Sequence, residues 1–233
     1  MNATDNNLYN ADTGRILAKS SLFHNIDENN IHTMIKCLDS KIANYKKGEL
    51  ILRTGQITNN IGIILVGTAH ITKEDYWGNV TLISKCEPSD MFGETYAIKG
   101  TLPCEVNVCA ITDCTIIFLN VNRVLRTCSS SCAHHQALIA NLMMSLTEKN
   151  YMLNKKIEYI SKRTTRDKLL SYLSSQAALS AGNTFTIPFN RQQLADFLCV
   201  DRSAMTVELS KLKKEGILDF KKNIFTLFDS SNT

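Results

Sequence analysis

Apolar residues change their spacing along the chain, and each change marks a different kind of element. Residues 1–20 are polar and predict little order at first, with a short helix expected from Arg15. Ile31, Met34, Ile35 and Leu38 then recur at helical spacing, which predicts a helix from Asp27 to Leu38. Between Lys41 and Leu119 the pattern shortens. β-rich runs at Glu49–Leu52, Ile61–Val66, Thr68–Thr72, Val80–Ile83, Val106–Ala110 and Thr115–Leu119 are punctuated by Gly48, Gly55, Gly67, Gly78, Gly93 and Gly100. Many short strands with glycine turns predict a small antiparallel barrel or jelly roll. From Ala133 to Ile160 the period is helical again. Ile139, Leu142, Leu146, Leu153, Ile157 and Ile160 trace a near-heptad stripe, broken by Lys149 and Asn150. A helix of that length favours pairing with a second copy, and cover by the barrel is the alternative. The polar break suits a register-fixing position or the approach of a ligand.

Past a basic joint at residues 161–165, a helix from Arg166 to about Ala178 turns Leu169, Leu170 and Leu173 inward. Thr184 to Phe189 reads as a short strand. Asn190 is an N-cap with Gln193 three residues on, the spacing of a capping box, so Arg191–Leu198 is a compact helix with Leu194, Phe197 and Leu198 on one side. Cys199 and Val200 make a turn, and Asp201 caps a second helix from Arg202 to Glu215. Met205, Leu209 and Leu212 form its apolar stripe, and Gly216 ends it. A ribbon follows: Leu218–Phe220, a turn at residues 221–223 with Asn223 expected at positive φ, and Ile224–Leu227. The outward face of the second helix carries Arg202, Ser203, Thr206, Ser210, Lys213 and Lys214, with Val207 as its one large apolar group. Short helix, tight turn, second helix with a polar and basic start, then a basic ribbon is the winged helix-turn-helix pattern. The plain alternative is a helical hairpin with a solvated face; the ribbon favours the first.

Composition adds three constraints. The apolar fraction of 44% and charged fraction of 21% are those of an ordinary folded protein, with no run approaching a membrane span and no evident signal peptide, so the cytoplasm is expected. Net charge is +4, and all of the excess lies late: 11 Lys and Arg face 7 Asp and Glu from Tyr159 onward, against 15 of each before it. A local basic excess beside a helix-turn-helix supports binding to a polyanion. The eight cysteines are expected to remain thiols in that compartment. Cys128 and Cys132, with His134 and His135, are the one cluster with ligand-like spacing, but no second pair completes a zinc set. No metal or cofactor is assigned. The barrel strands hold a single histidine, His70, too few for a metal-dependent enzyme of this architecture.

Four stretches in order resemble the Crp/Fnr superfamily of transcriptional regulators: YKKGELILRTGQ (Tyr45–Gln56), IILVG (Ile63–Gly67), MFGE (Met91–Glu94) and RQQLADFLCVDRSAMTVELSKLKKEG (Arg191–Gly216). The resemblance covers about residues 20–228. It implies an α+β chain with a cyclic-nucleotide-binding-like jelly-roll sensor (15–132), a dimerisation helix (133–160) and a winged helix-turn-helix (161–233). The implied protein is a cytoplasmic homodimer on a palindromic double-stranded DNA operator, with RNA polymerase as a candidate partner. Arg202, Ser203, Thr206 and Val207 would face bases, and Arg191, Gln192, Lys213 and Lys222 would face the backbone.

Two departures from the family pattern matter. Members that bind cyclic nucleotides follow a glycine–glutamate pair with an arginine and a small hydroxyl residue that hold the phosphate. Gly93 and Glu94 match, but Cys104 and Glu105 occupy the phosphate positions, and the matching positions of the long helix are Leu153 and Asn154. A carboxylate repels a phosphate and offers it no donor, so an effector other than cyclic AMP is expected from this pocket. The first 36 residues contain no cysteine, which argues against the iron–sulfur cluster of the oxygen-sensing branch. A haem held by His134 or His135, or a thiol switch at Cys128 and Cys132, stays open. In the recognition helix Arg202 matches, but Ser203 replaces a glutamate and Val207 replaces a second arginine, so the family's usual half-site is not expected. The competing reading is a ligand- or redox-sensing cupin whose helical C-terminal domain serves assembly or partner binding.

Overall fold

The computed structural model describes residues 11–126, 133–180 and 182–228. It divides into two compact units, Met1–Leu146 and Thr147–Thr233. The division falls inside one long helix, so that helix supplies residues to both.

In the first unit, helices α1 (Ala11–Lys19) and α2 (Glu28–Cys37) flank a single 3₁₀ turn at Ser21–Phe23. Eight strands follow: β1 (Lys41–Tyr45), β2 (Leu50–Leu52), β3 (Asn60–Val66), β4 (Ala69–Glu74), β5 (Val80–Cys86), β6 (Met91–Phe92), β7 (Asn107–Ala110) and β8 (Cys114–Asn120). They form two four-stranded antiparallel sheets, ordered β1-β8-β3-β6 and β2-β7-β4-β5. This is the double-sheet jelly roll the strand pattern predicts. Its central strands are buried on both faces, which explains their unbroken apolar runs. Ile64 and Ile116 face an inter-sheet core with Phe92, Val108, Cys86, Cys104 and Cys114. Ile61, Ile63, Ile117 and Leu119 face a second core built with α1 and α2.

Two strands and two short helices escape the sequence reading. β1 (KIANY) is an edge strand without apolar–polar alternation, paired among the described residues with β8 alone, and β6 has two residues. Helix α3 (Glu94–Lys99) is bracketed by left-handed Gly93 and Gly100, and α4 (Val121–Leu125) is a single capped turn. None is long enough to establish a period.

Helix α5 runs from Ala133 to Ile160, the expected bounds. Its burial does not follow the expected stripe along its whole length. Leu138 and Leu142 are buried in the first unit's core with Leu146 and Ala137 partly covered, whereas Leu153 and Ile157 are 61% and 58% exposed. The inward face is thus set one residue before Ile139, which is half-buried.

The second unit contains the end of α5, then α6 (Thr165–Leu179), β9 (Thr184–Thr186), α7 (Arg191–Leu198), α8 (Arg202–Lys214), β10 (Leu218–Lys221) and β11 (Ile224–Leu227). Tyr159 closes α5 onto α6: its hydroxyl donates to Ser175 Oγ at 2.9 Å, and its ring lies 5.5 Å from that of Tyr172. Burial pushes the Tyr172 phenol up to about 12. The ribbon is a three-stranded sheet, because β9 pairs with β11. Positive φ falls on Lys222 (56°) and not on Asn223. The Asn223 amide is committed elsewhere, donating to the Ile187 carbonyl at 3.1 Å, and its own carbonyl accepts from Ile187 N–H at 2.9 Å.

Gly67 turns the chain from β3 into β4 at φ +90°, where an added Cβ would lie 2.2 Å from the Asp113 carbonyl oxygen. Gly14, inside α1, has nothing within 4 Å of that position. Gly67→Ala is therefore expected to destabilise the chain by at least about 2 kcal/mol in urea unfolding, and Gly14→Ala to stabilise it by up to about 1 kcal/mol. Equal effects would refute the steric assignment.

Candidate nucleic-acid interface

The capping chemistry that starts α7 and α8 also sets their positions. Asn190 Oδ1 accepts from Gln193 N–H at 2.9 Å and Gln193 Oε1 accepts from Asn190 N–H at 2.9 Å, a complete capping box. Asp201 Oδ1 accepts from Ala204 N–H at 2.8 Å to start α8. Between the helices, Cys199 takes the left-handed conformation at φ 51°. Leu194 and Leu198 of α7 meet Met205, Leu209 and Leu212 of α8 in one core, all five fully buried. With that stripe turned inward, Arg202, Ser203, Thr206 and Val207 are exposed on the other side.

The expected base-facing residues differ in how free they are. Arg202 and Ser203 make no side-chain hydrogen bond or ion pair among the described residues. The Thr206 hydroxyl donates to the Arg202 carbonyl at 2.8 Å, and the Ser210 hydroxyl to the Thr206 carbonyl at 3.0 Å. Each hydroxyl has one proton to give, so both offer only acceptor lone pairs outward. Val207 is 56% exposed. The expected backbone contacts are mostly engaged. Gln192 donates to Asp196 Oδ1 at 2.8 Å, and Lys213 is ion-paired with Asp219. The Arg191 guanidinium lies 4.6 Å from the Phe220 ring centre and 5.0 Å from that of Phe225, and burial lowers its pKa. Lys222 stands exposed at the tip of the wing, with Lys214 and Lys221 also exposed.

In the first unit, Gly93 (φ 78°) caps α3 and Glu94 is buried at 6% exposure. Cys104 is buried in the inter-sheet core, and burial pushes its thiol pKa up. Its backbone bridges a loop, with its N–H donating to the Gln56 carbonyl at 2.9 Å and its carbonyl accepting from Gly55 N–H at 2.7 Å. Glu105 is exposed and ion-paired with Lys73 of β4 at 2.9 Å, and hydrogen bonding from Lys73 lowers its carboxyl pKa. In the second unit, Leu153 is exposed and Asn154 donates to Asn150 Oδ1 at 2.8 Å. His134 is half-buried and His135 buried near the start of α5. Cys128 and Cys132 lie outside the described residues.

Residues 42–131 match the cyclic nucleotide-binding domain model, and residues 167–229 match the Crp-like helix-turn-helix domain model. The chain belongs to the Crp/Fnr superfamily. It has the architecture of a Crp/Fnr-type DNA-binding transcription regulator, with a cyclic-nucleotide-binding-like sensor domain and a helix-turn-helix. Solved structures agree on the fold. The catabolite activator protein of Thermus thermophilus is 16% identical over 91% of this chain and 95% of its own, with a TM-score of 0.55. CprK complexed with OCPA is 13% identical over 87% of this chain and 92% of its own, with a TM-score of 0.63. CLP, described as a c-di-GMP-responsive global regulator of Xanthomonas campestris, is 16% identical over 85% and 98%, with a TM-score of 0.52. No curated protein matches by sequence. Among the described residues no helix is long and apolar enough to cross a membrane.

Two residues that hold the interface of this Crp/Fnr regulator in place are given no such role by the sequence reading. Lys168 of α6 donates to the carbonyls of Leu198 and Cys199 at 3.4 Å each, covering the end of α7. Arg166 clamps α6 to α8: Nη1 reaches Glu208 Oε1 at 3.3 Å and Glu215 Oε1 at 3.1 Å, and Nη2 reaches Glu215 Oε2. Their partners lie at least 30 residues away in the chain, so no local spacing signals them. The Arg166 hydrogen bond holds the Glu215 carboxyl below its ordinary range. A carboxylate depressed in the folded state contributes stability above its unfolded pKa, and that contribution is lost as pH falls through the folded one. The gap in thermal stability between wild type and Arg166→Ala is therefore expected to be complete at neutral pH. It should shrink once the pH drops below about 4.3, the ordinary glutamate value. A gap independent of pH would place the effect of Arg166 elsewhere.

Proposed function

We propose that the chain is a cytoplasmic, homodimeric transcriptional regulator that reads a two-fold-symmetric duplex site with the start of α8. The observation that supports this most is the division of α8 into a fully buried stripe and an open face bearing Arg202, Ser203 and Val207. A helix held from behind and polar in front is what insertion into the major groove requires. Arg202 carries the two-toothed donor fork suited to guanine O6 and N7. Thr206, its proton already given to the backbone, accepts from a base amino group. Val207 suits a thymine methyl, so the half-site is richer in A·T than one read by two arginines.

Lys222 at the wing tip serves as a phosphate contact. Arg191 joins the wing sheet to α7 through Phe220 and Phe225 and serves as a further backbone contact. Gln192 and Lys213, already paired within the unit, contribute less. RNA polymerase is the natural partner of a regulator so placed.

For the sensor unit we propose an effector other than cyclic AMP. Cys104 offers a buried neutral thiol, and Glu105 brings a carboxylate that already engages Lys73. Neither supplies the donor fork a cyclic phosphate needs. Calorimetric titration of the full chain with cyclic AMP should show no binding at micromolar concentration; saturation in that range would refute the reading.

Selection from random duplexes supplies the site on which the DNA reading is tested. On it, Arg202→Ala is expected to weaken binding by about 1–3 kcal/mol and relax one base position. Lys222→Ala is expected to weaken all sequences alike and reduce the salt slope by about 1. Selection that returns no palindrome, or variants that bind as wild type does, would contradict the assignment.

A further inference from the structure

The middle of α5 is open on every side. All residues from 147 to 154 are exposed, among them the large apolar Tyr151, Met152 and Leu153. Ile139, Met143, Leu146, Asn150, Leu153, Ile157 and Ile160 alternate spacings of four and three along this helix, the seam of a two-stranded coil. Met143, Leu153 and Ile157 on that seam are each more than half exposed. The repeat makes Met143, Asn150 and Ile157 equivalent (the a positions) and places Ile139, Leu146, Leu153 and Ile160 at d. One polar residue therefore interrupts an otherwise apolar seam.

Its side chain is already oriented. Asn154, one turn on, donates to Asn150 Oδ1 at 2.8 Å. That leaves both amide protons of Asn150 and the second lone pair of its oxygen for a partner across the seam. Resting on the homodimeric reading above, we propose that two copies of α5 pair in parallel and in register through a polar layer of Asn150 against Asn150, with Asn154 bracing each side.

The occupant of the seam follows from the chemistry of that layer. In a parallel pair, a positions face a positions, so only the unshifted register sets Asn150 opposite its twin. A shift by one heptad sets it against Met143 or Ile157. An antiparallel pair sets a against d, and so Asn150 against leucine or isoleucine. Each wrong arrangement buries an amide without a partner, whereas the right one satisfies two at once. A partner helix of another sequence would need its own polar residue at the same level, and a second copy of this chain supplies it by symmetry. The layer makes pairing weaker than an all-apolar seam would be, and in exchange selects one arrangement.

The test uses the full chain. Asn150→Cys, oxidised mildly, should give a disulfide-linked dimer on a non-reducing gel, while Met152→Cys, off the seam, and the wild type with its native cysteines should not. Asn150→Ile should tighten the dimer at least tenfold in sedimentation while relaxing its register. Cross-linking at 150 together with tightening supports the layer. A wild-type dimer in which Asn150→Cys fails to link, or Asn150→Ile leaves the dissociation constant unchanged, overturns the layer and leaves the dimer standing. A wild-type chain that stays monomeric overturns both.

Discussion

A helix can offer one face to another molecule only if its opposite face is held firmly enough to resist being pulled away. In α8 that hold comes from Met205, Leu209 and Leu212, each fully buried against Leu194 and Leu198. Burial of side chains of this size is worth roughly 1.5–3 kcal/mol apiece. The Arg166 clamp on Glu208 and Glu215 adds direction more than energy, because the groups are partly exposed. Asp201 begins the helix and the left-handed Cys199 aims it. Ser203 and Val207 lie on the open face, away from that buried stripe, so their side chains leave the packing behind undisturbed.

The same logic divides α5. Its early turns give Leu138 and Leu142 to the first unit, and its last turn gives Tyr159 to the second. Between these anchors it keeps an apolar seam uncovered. A stripe read as uniform in sequence is therefore two surfaces in the structure, one spent on the chain's own cores and one exposed. In the first unit Gly93 caps α3 in the left-handed conformation and Glu94 is buried, while Cys104 and Glu105 are occupied in local contacts of their own.

How legible all this was depended on range. Caps and turns were readable because their partners sit three residues apart: Asn190 with Gln193, Asp201 with Ala204. The jelly roll was readable from apolar runs between glycines because its central strands are buried on both faces. β1 was not, since Lys41–Tyr45 (KIANY) does not alternate apolar with polar residues and offers no period to detect, and β9 appeared only as a short run whose pairing with β11 is nonlocal. Asn223 has the intrinsic preference for the strained turn position, but its bond to Ile187 commits it elsewhere and Lys222 takes the positive φ. Arg166 and Lys168 look like ordinary surface charges until the fold brings α8 and the end of α7 beside them. Of the site itself, the residue types on the open face of α8 were legible. That the Thr206 hydroxyl is turned back on its own helix was not.

The central claim is that two copies of this chain present α8 together to one duplex. Sedimentation of the full chain at low ionic strength, alone and with double-stranded DNA, tests it most directly. The account predicts a dimer alone and a complex of two chains per duplex that dissociates as salt rises. A monomer whose sedimentation is unchanged by the duplex would contradict it.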